Sequence, residues 1–99
     1  MKSLDQNLEF VKNLILKKLS PYKVRIYFFG SRAKGNAQPT SDIDIAILPL
    51  EPLPLGVLSL LREELEESTI PYTVDIVDIT KTSARFKKQI QQEGTLWKS

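Results

Sequence analysis

Three aspartates and a glycine–serine pair carry the chemistry open to this chain. Asp42 and Asp44 stand two positions apart in DIDIAIL, 42–48, alternating with Ile43, Ile45 and Ile47. Alternation is the period of a strand, so the two carboxylates share one face and the isoleucines the other. Adjacent carboxylates repel, and desolvating either alone is costly. A divalent cation relieves both penalties, and oxygen donors select a hard ion, magnesium or manganese first. Asp75, in YTVDIVDI at 72–79, is flanked in the same way by Val74 and Ile76. If that strand neighbours the first, Asp75 completes a three-carboxylate cluster. Clusters of this kind hold two metal ions about 3.5–4 Å apart for in-line phosphoryl or nucleotidyl transfer.

The glycine–serine pair sits where the segment KVRIYFF, 23–29, runs into the polar loop GSRAKGNAQPTS, 30–41. Gly30 lets a phosphate approach the backbone closely, and Ser31 offers a hydroxyl and an N–H. A helical turn starting after Ser31 would add free N–H groups and a favourable dipole. Arg32 and Lys34 can neutralise phosphate charge.

Composition removes most other chemistries. The chain has 99 residues, no cysteine and no histidine. Disulfides, thiolate nucleophiles, Cys-ligated zinc, His general bases and imidazole metal sites are therefore excluded. Carboxylates, hydroxyls, Lys, Arg, Tyr and the backbone must do the work. Hydrophobic residues make up 41% and charged residues 26%, which fits a folded domain, and the length admits a single domain, 1–99. The net charge of +2 gives no basic face for nucleic acid, so nucleic acid is not an expected partner. No apolar run reaches the roughly 18 residues of a membrane span, and the N-terminus mixes charges among its apolar residues. A cytoplasmic protein without membrane contact is expected.

The elements around these residues follow from periodicity. Residues 4–19 read as an amphipathic helix with Leu4, Leu8, Val11, Ile15 and Leu19 inward, Ser3 as cap and Pro21 as stop. Strands are expected at 23–29, 42–48 and 72–79. A helix is expected at 56–68, with Val57, Leu60, Leu61 and Leu65 inward and its glutamates mostly solvated. Residues 82–93 form a further helix, capped by Thr82 or Ser83, with Phe86 and Ile90 inward and Gly94 at its end. The tail TLWKS has no assigned element. The fold class is α/β (α+β), a small mixed sheet of at least three strands flanked by helices.

Together these pieces resemble the signature of the DNA polymerase beta nucleotidyltransferase superfamily. Gly30-Ser31, a polar spacer that puts Asp42 eleven positions after Ser31, Asp42-x-Asp44 in an apolar strand, and TVDIVD with Asp75 all match. In length and in its leading helix the chain is similar to the minimal nucleotidyltransferases, over residues 4–93. The resemblance implies that Gly30 and Ser31 contact the β- and γ-phosphates of a nucleoside triphosphate. It implies that Asp42, Asp44 and Asp75 bind two Mg2+ ions, with Asp75 also helping to deprotonate the acceptor hydroxyl. Arg32 and Lys34 steer the triphosphate or simply keep the loop basic and polar. The implied reaction moves a nucleoside monophosphate, AMP from ATP, to a protein hydroxyl. The implied partner is a small helical HEPN-type protein, in a toxin–antitoxin pair. The alternative is an antitoxin or subunit that binds nucleotide and its helical partner with little or no catalysis.

Other features have plainer readings. Asp78 faces away from Asp75 and reads as exposed or capping. Tyr22, Tyr27 and Tyr72 read as packing residues, and Arg85, Lys87 and Lys88 as a solvated helix face. Phe10, Leu14, Leu53, Leu55 and Trp97 are apolar residues that so small a chain has difficulty burying together.

Overall fold

The computed structural model describes residues 4–30, 42–70 and 72–98, with only the backbone for residues 4 and 5. The elements are α1 (Leu4–Leu19), β1 (Val24–Phe29), β2 (Ile43–Pro49), α2 (Val57–Glu67), β3 (Val74–Asp78), a 3-10 turn (Ile79–Lys81), α3 (Ala84–Glu93) and β4 (Thr95–Lys98). The strands form one mixed sheet in the order β3-β2-β1-β4. β1 runs antiparallel to β2 and to β4, whereas β2 and β3 are parallel. A parallel pair needs a long crossover, and α2 supplies it.

Strand alternation divides the apolar residues between two faces. Val24, Ile26, Phe28, Ile43, Ile45, Ile47 and Ile76 face one way and pack under Val11, Ile15 and Leu19 of α1 and Leu61 and Leu65 of α2. Tyr27, Ala46 and Leu48 face the other way, against Ile79 and Ile90, with Phe29, Val77 and Phe86 at the margin. The sheet is thus covered by two helices on one side and by α3 on the other. Its central strands must be apolar on both faces, which explains why β2 is buried at every position from Ile45 to Leu48.

Most expected elements occur, and several details differ. Leu60 points outward and is 65% exposed, while Leu58 packs against the core in its place. Leu60 falls within helical reach of Leu61 and Leu65, but the stripe is rotated so that Leu61 and Leu65 alone are buried in α2. The tail is a strand. TLWK is too short to declare itself, and its strand character comes from pairing with β1. Through that pairing Trp97 stacks on Phe28, ring centroids 5.3 Å apart, with the Lys12 ammonium 5.8 Å from its ring centre. Leu14, Leu53 and Trp97 therefore pack on the core, and Phe10 and Leu55 are the two of that apolar set left exposed. Ser83 is the cap of α3, its hydroxyl accepting from the Phe86 N–H at 3.2 Å. Gly94 does end α3, but in an extended conformation. A Cβ there would stand 2.7 Å from the Ile90 carbonyl oxygen, so space rather than a left-handed turn selects glycine. The expected Ser3 cap and the inward Leu4 side chain lie outside the described residues. Among the described residues no helix is long and apolar enough to cross a membrane.

These faces make a paired prediction. Ile45→Ala, at a fully buried position, should cost about 3 kcal/mol. Leu60→Ala should change stability by less than about 0.5 kcal/mol. Denaturant unfolding of both variants measures the difference directly.

Candidate active site

The carboxylates come together through strand register. Asp44 of β2 is paired with Asp75 of the parallel strand β3 and, on its other side, with Phe29 of β1. Paired residues on neighbouring strands point to the same face. Asp75, Asp44 and Phe29 therefore form a row across the sheet, on the face covered further along by α3. Asp42 lies one residue before β2 and is exposed. The Ile43 N–H donates to the Thr73 carbonyl at 2.9 Å, which ties the start of β2 to the entry of β3. Among the described residues no three carboxylates stand close enough to cage a metal ion in this conformation. The tight element is the Asp44–Asp75 pair, with Asp42 near enough to act on Asp44 electrostatically.

That electrostatic load is visible on one group. The Asp44 carboxyl is raised above its ordinary value of 3.8, first by desolvation and then by the charges of Asp75 and Asp42. Burial and both neighbouring carboxylates act on Asp44 in the same direction, so among the described residues the pair carries surplus negative charge. A set of oxygen donors carrying surplus negative charge is the chemistry that suits a hard divalent cation.

Gly30 has a second function beyond the one its motif suggests. Its φ is +85°, a conformation costly for any residue with a side chain. A Cβ built there would collide with Asp44 Oδ2 and stand 3.2 Å from Asp44 Cγ. Glycine thus leaves the volume that the Asp44 carboxylate occupies. Ser31, Arg32 and Lys34, the other expected phosphate contacts, lie outside the described residues. Asp78 is separate from the row. It pairs in register with Ile47 and caps the 3-10 turn, accepting from the Thr80 N–H at 3.0 Å and from Thr80 Oγ1 at 2.6 Å. Phe29 belongs to the site and has no chemical signature in the sequence. Only the β1–β2 register places its ring beside Asp44.

A helix-backed mixed sheet with aspartates paired across its parallel strands, abutting a glycine at the end of the antiparallel strand, is a nucleotidyltransferase fold. The family model described as "Polymerase beta, Nucleotidyltransferase" matches residues 12–99, and the chain belongs to that family. It is 37% identical over 87 residues to the Haemophilus influenzae protein named "Probable protein adenylyltransferase MntA", covering 88% of this chain and 75% of that one. A crystal structure of a toxin–antitoxin with AMP-PNP superposes with a TM-score of 0.69 at 32% identity, covering 89% of this chain and 73% of the other. A structure of the tri-AMPylated Shewanella oneidensis HEPN toxin in complex with MNT antitoxin superposes with a TM-score of 0.63 at 29% identity, covering 92% and 71%.

Two measurements follow from this geometry. Gly30→Ala should lower stability by roughly 1–3 kcal/mol, because it combines a left-handed backbone with a displaced carboxylate. The second concerns pH. A raised carboxyl binds its proton more tightly in the folded state than in the unfolded chain. The stability it contributes is complete below 3.8 and is lost as pH rises through the raised folded value. In metal-free buffer, Asp44→Asn should flatten this decline and be more stable than the parent at neutral pH. Denaturation midpoints of both proteins across a pH series test it.

Proposed function

We propose that this protein is a magnesium-dependent adenylyltransferase that moves AMP from ATP to a hydroxyl of a protein acceptor, acting as the antitoxin of a HEPN-type helical partner. The observation that carries this reading is the Asp44–Asp75 pair held in register against Gly30, in a chain whose relatives include a named protein adenylyltransferase and an antitoxin beside an AMPylated HEPN toxin.

Asp42, Asp44 and Asp75 would hold Mg2+, two ions in the full site. When bound, magnesium neutralises phosphate charge and acidifies a coordinated hydroxyl. The chain's own groups account for the remaining tasks. Gly30, without a side chain, gives the triphosphate access to the backbone at the end of β1. Ser31 contacts the β- and γ-phosphates, and Arg32 and Lys34 offset their charge. Asp75, exposed at the outer end of the row, accepts the proton of the acceptor hydroxyl. The hydroxyl oxygen forms its bond to the α-phosphorus as the bond to the β-phosphate oxygen breaks. Pyrophosphate leaves with the electron pair. The sheet positions the Asp44 and Asp75 carboxylates, because each is carried by a strand with buried neighbours. The partner reading is supported by exposed leucines, Leu50, Leu55 and Leu60, which a second protein would remove from water. The requirement for ATP supports a cytoplasmic location.

Label transfer tests the proposal. Incubation with α-labelled ATP, magnesium and the helical partner should place label on the partner. Asp42→Asn and Asp44→Asn should each reduce transfer by at least roughly a hundredfold while the protein remains folded. Full transfer by either variant would remove that aspartate from the site. Neutralisation of the partner by a folded, transfer-dead Asp44→Asn protein would favour action by binding alone.

A further inference from the structure

Asp75 is carried by the outermost strand of the sheet. Among the described residues β3 pairs with β2 alone, whereas β2, which carries Asp44, is paired on both sides. β3 is also short, five residues from Val74 to Asp78. Short edge strands open more readily than central ones, because half of their backbone groups have no strand to bond. Level placement of Asp75 beside Asp44 therefore needs support from outside the ladder.

The backbone shows where that support must act. The Thr73 carbonyl accepts from the Ile43 N–H at 2.9 Å, so it points toward β2. Backbone groups of successive strand residues point to opposite edges. Asp75 and Val77 therefore direct theirs to β2, and Val74 and Ile76 direct theirs outward. The outward carbonyl of Ile76, the residue after Asp75, accepts from Arg62 Nη2 at 2.9 Å. Arg62 reaches it from α2, fourteen positions earlier in the chain. The root of that side chain is fixed, because Leu61 and Leu65 anchor α2 in the core. A guanidinium here supplies the donor that a further strand would supply, and its charge strengthens the bond. The bond also ties the crossover helix to the strand that it leads into.

We infer that Arg62 is a positioning residue for Asp75. Its bond to Ile76 closes the outer edge of β3 and keeps the Asp75 carboxylate level with Asp44. Arg62 acts through the backbone. It lines the groove between residues 49–59 and the far part of β3, Ile76 to Asp78, and not the row of Phe29, Asp44 and Asp75. The inference rests on the reading of Asp75 as a site carboxylate. In that reading Asp75 takes the proton of the acceptor hydroxyl, while Gly30 and Ser31 meet the triphosphate. Loss of Arg62 should therefore slow the transfer step and leave ATP binding in place.

Two readouts on the full chain test this, one of them without turnover. Arg62→Met keeps the aliphatic stem and removes the donors, whereas Arg62→Lys keeps a charged donor. Val11→Ala, at a buried position of α1, serves as the measure of general destabilisation. Thermal melts confirm that all three fold. In amide hydrogen exchange without metal, Arg62→Met should speed exchange at Asp75 and Val77 roughly tenfold relative to Ala46 and Leu48, whose amides face β1 by the same alternation. Val11→Ala should leave that ratio unchanged. In label transfer, Arg62→Met should lower kcat roughly tenfold with the KM for ATP within about twofold of the parent, and Arg62→Lys should recover most of the rate. Parental exchange at Asp75 and Val77 in folded Arg62→Met would overturn the inference. So would a loss of kcat matched by Val11→Ala, or a rise in the KM for ATP without a fall in kcat. A parent that transfers no label would sink the adenylyltransferase reading, and the exchange ratio would still decide whether Arg62 holds the strand that carries Asp75.

Discussion

Two carboxylates are held side by side on neighbouring strands of one sheet, and burial and like charge load the inner one, Asp44. This placement costs energy. Asp44 registers the cost as a carboxyl raised by desolvation and by Asp75 and Asp42. The fold tolerates it because the strands that carry the aspartates are anchored elsewhere. Ile43, Ile45, Ile47 and Ile76 are buried on the opposite face under α1 and α2. Each apolar side chain buried there contributes on the order of 1.5–3 kcal/mol, more than partial burial of one carboxylate removes. The residual negative charge is of the kind that a hard divalent cation would offset.

The sheet topology serves that placement. Parallel pairing of β2 and β3 brings Asp44 level with Asp75, and antiparallel pairing of β1 and β2 brings Phe29 and Gly30 level with the same point. The site therefore lies where a parallel and an antiparallel neighbour meet one central strand. α3 closes the other face only in part. It covers Tyr27, Ala46 and Leu48, while Asp75 at the outer end of the row is exposed. β4 fills the remaining edge of β1 and seats Trp97 on Phe28. The end of the chain thus braces the strand that leads into Gly30.

Much of this was readable from residue order because it depends on local periodicity. The two-residue period of Asp42, Asp44 and the isoleucines, and the steps of three and four in α1, follow from backbone geometry alone. Capping was equally local, as at Ser83 and Asp78. Reading failed where a non-local partner decides. Leu60 and Leu58 are both plausible inward residues until the docking angle of α2 is known. TLWK has no strand signal of its own and becomes one by pairing with β1. Trp97, which looked hard to bury, is covered through that same pairing.

The same division runs through the site. By itself the sequence determined the available chemistry: hard oxygen donors, no imidazole or thiol, a glycine–serine pair after a strand, and aspartates alternating with isoleucines. These follow from residue type and from the fixed period of a strand. Tertiary structure alone decided which groups meet. Register set Asp75 level with Asp44, put Phe29 in the same row, and left Asp42 exposed just outside the strand. It also gave Gly30 its requirement for empty space, since the atom a side chain would strike belongs to Asp44, fourteen positions along the chain. The reason is physical: a strand's period is local, whereas register is set by which neighbouring strand satisfies its hydrogen bonds.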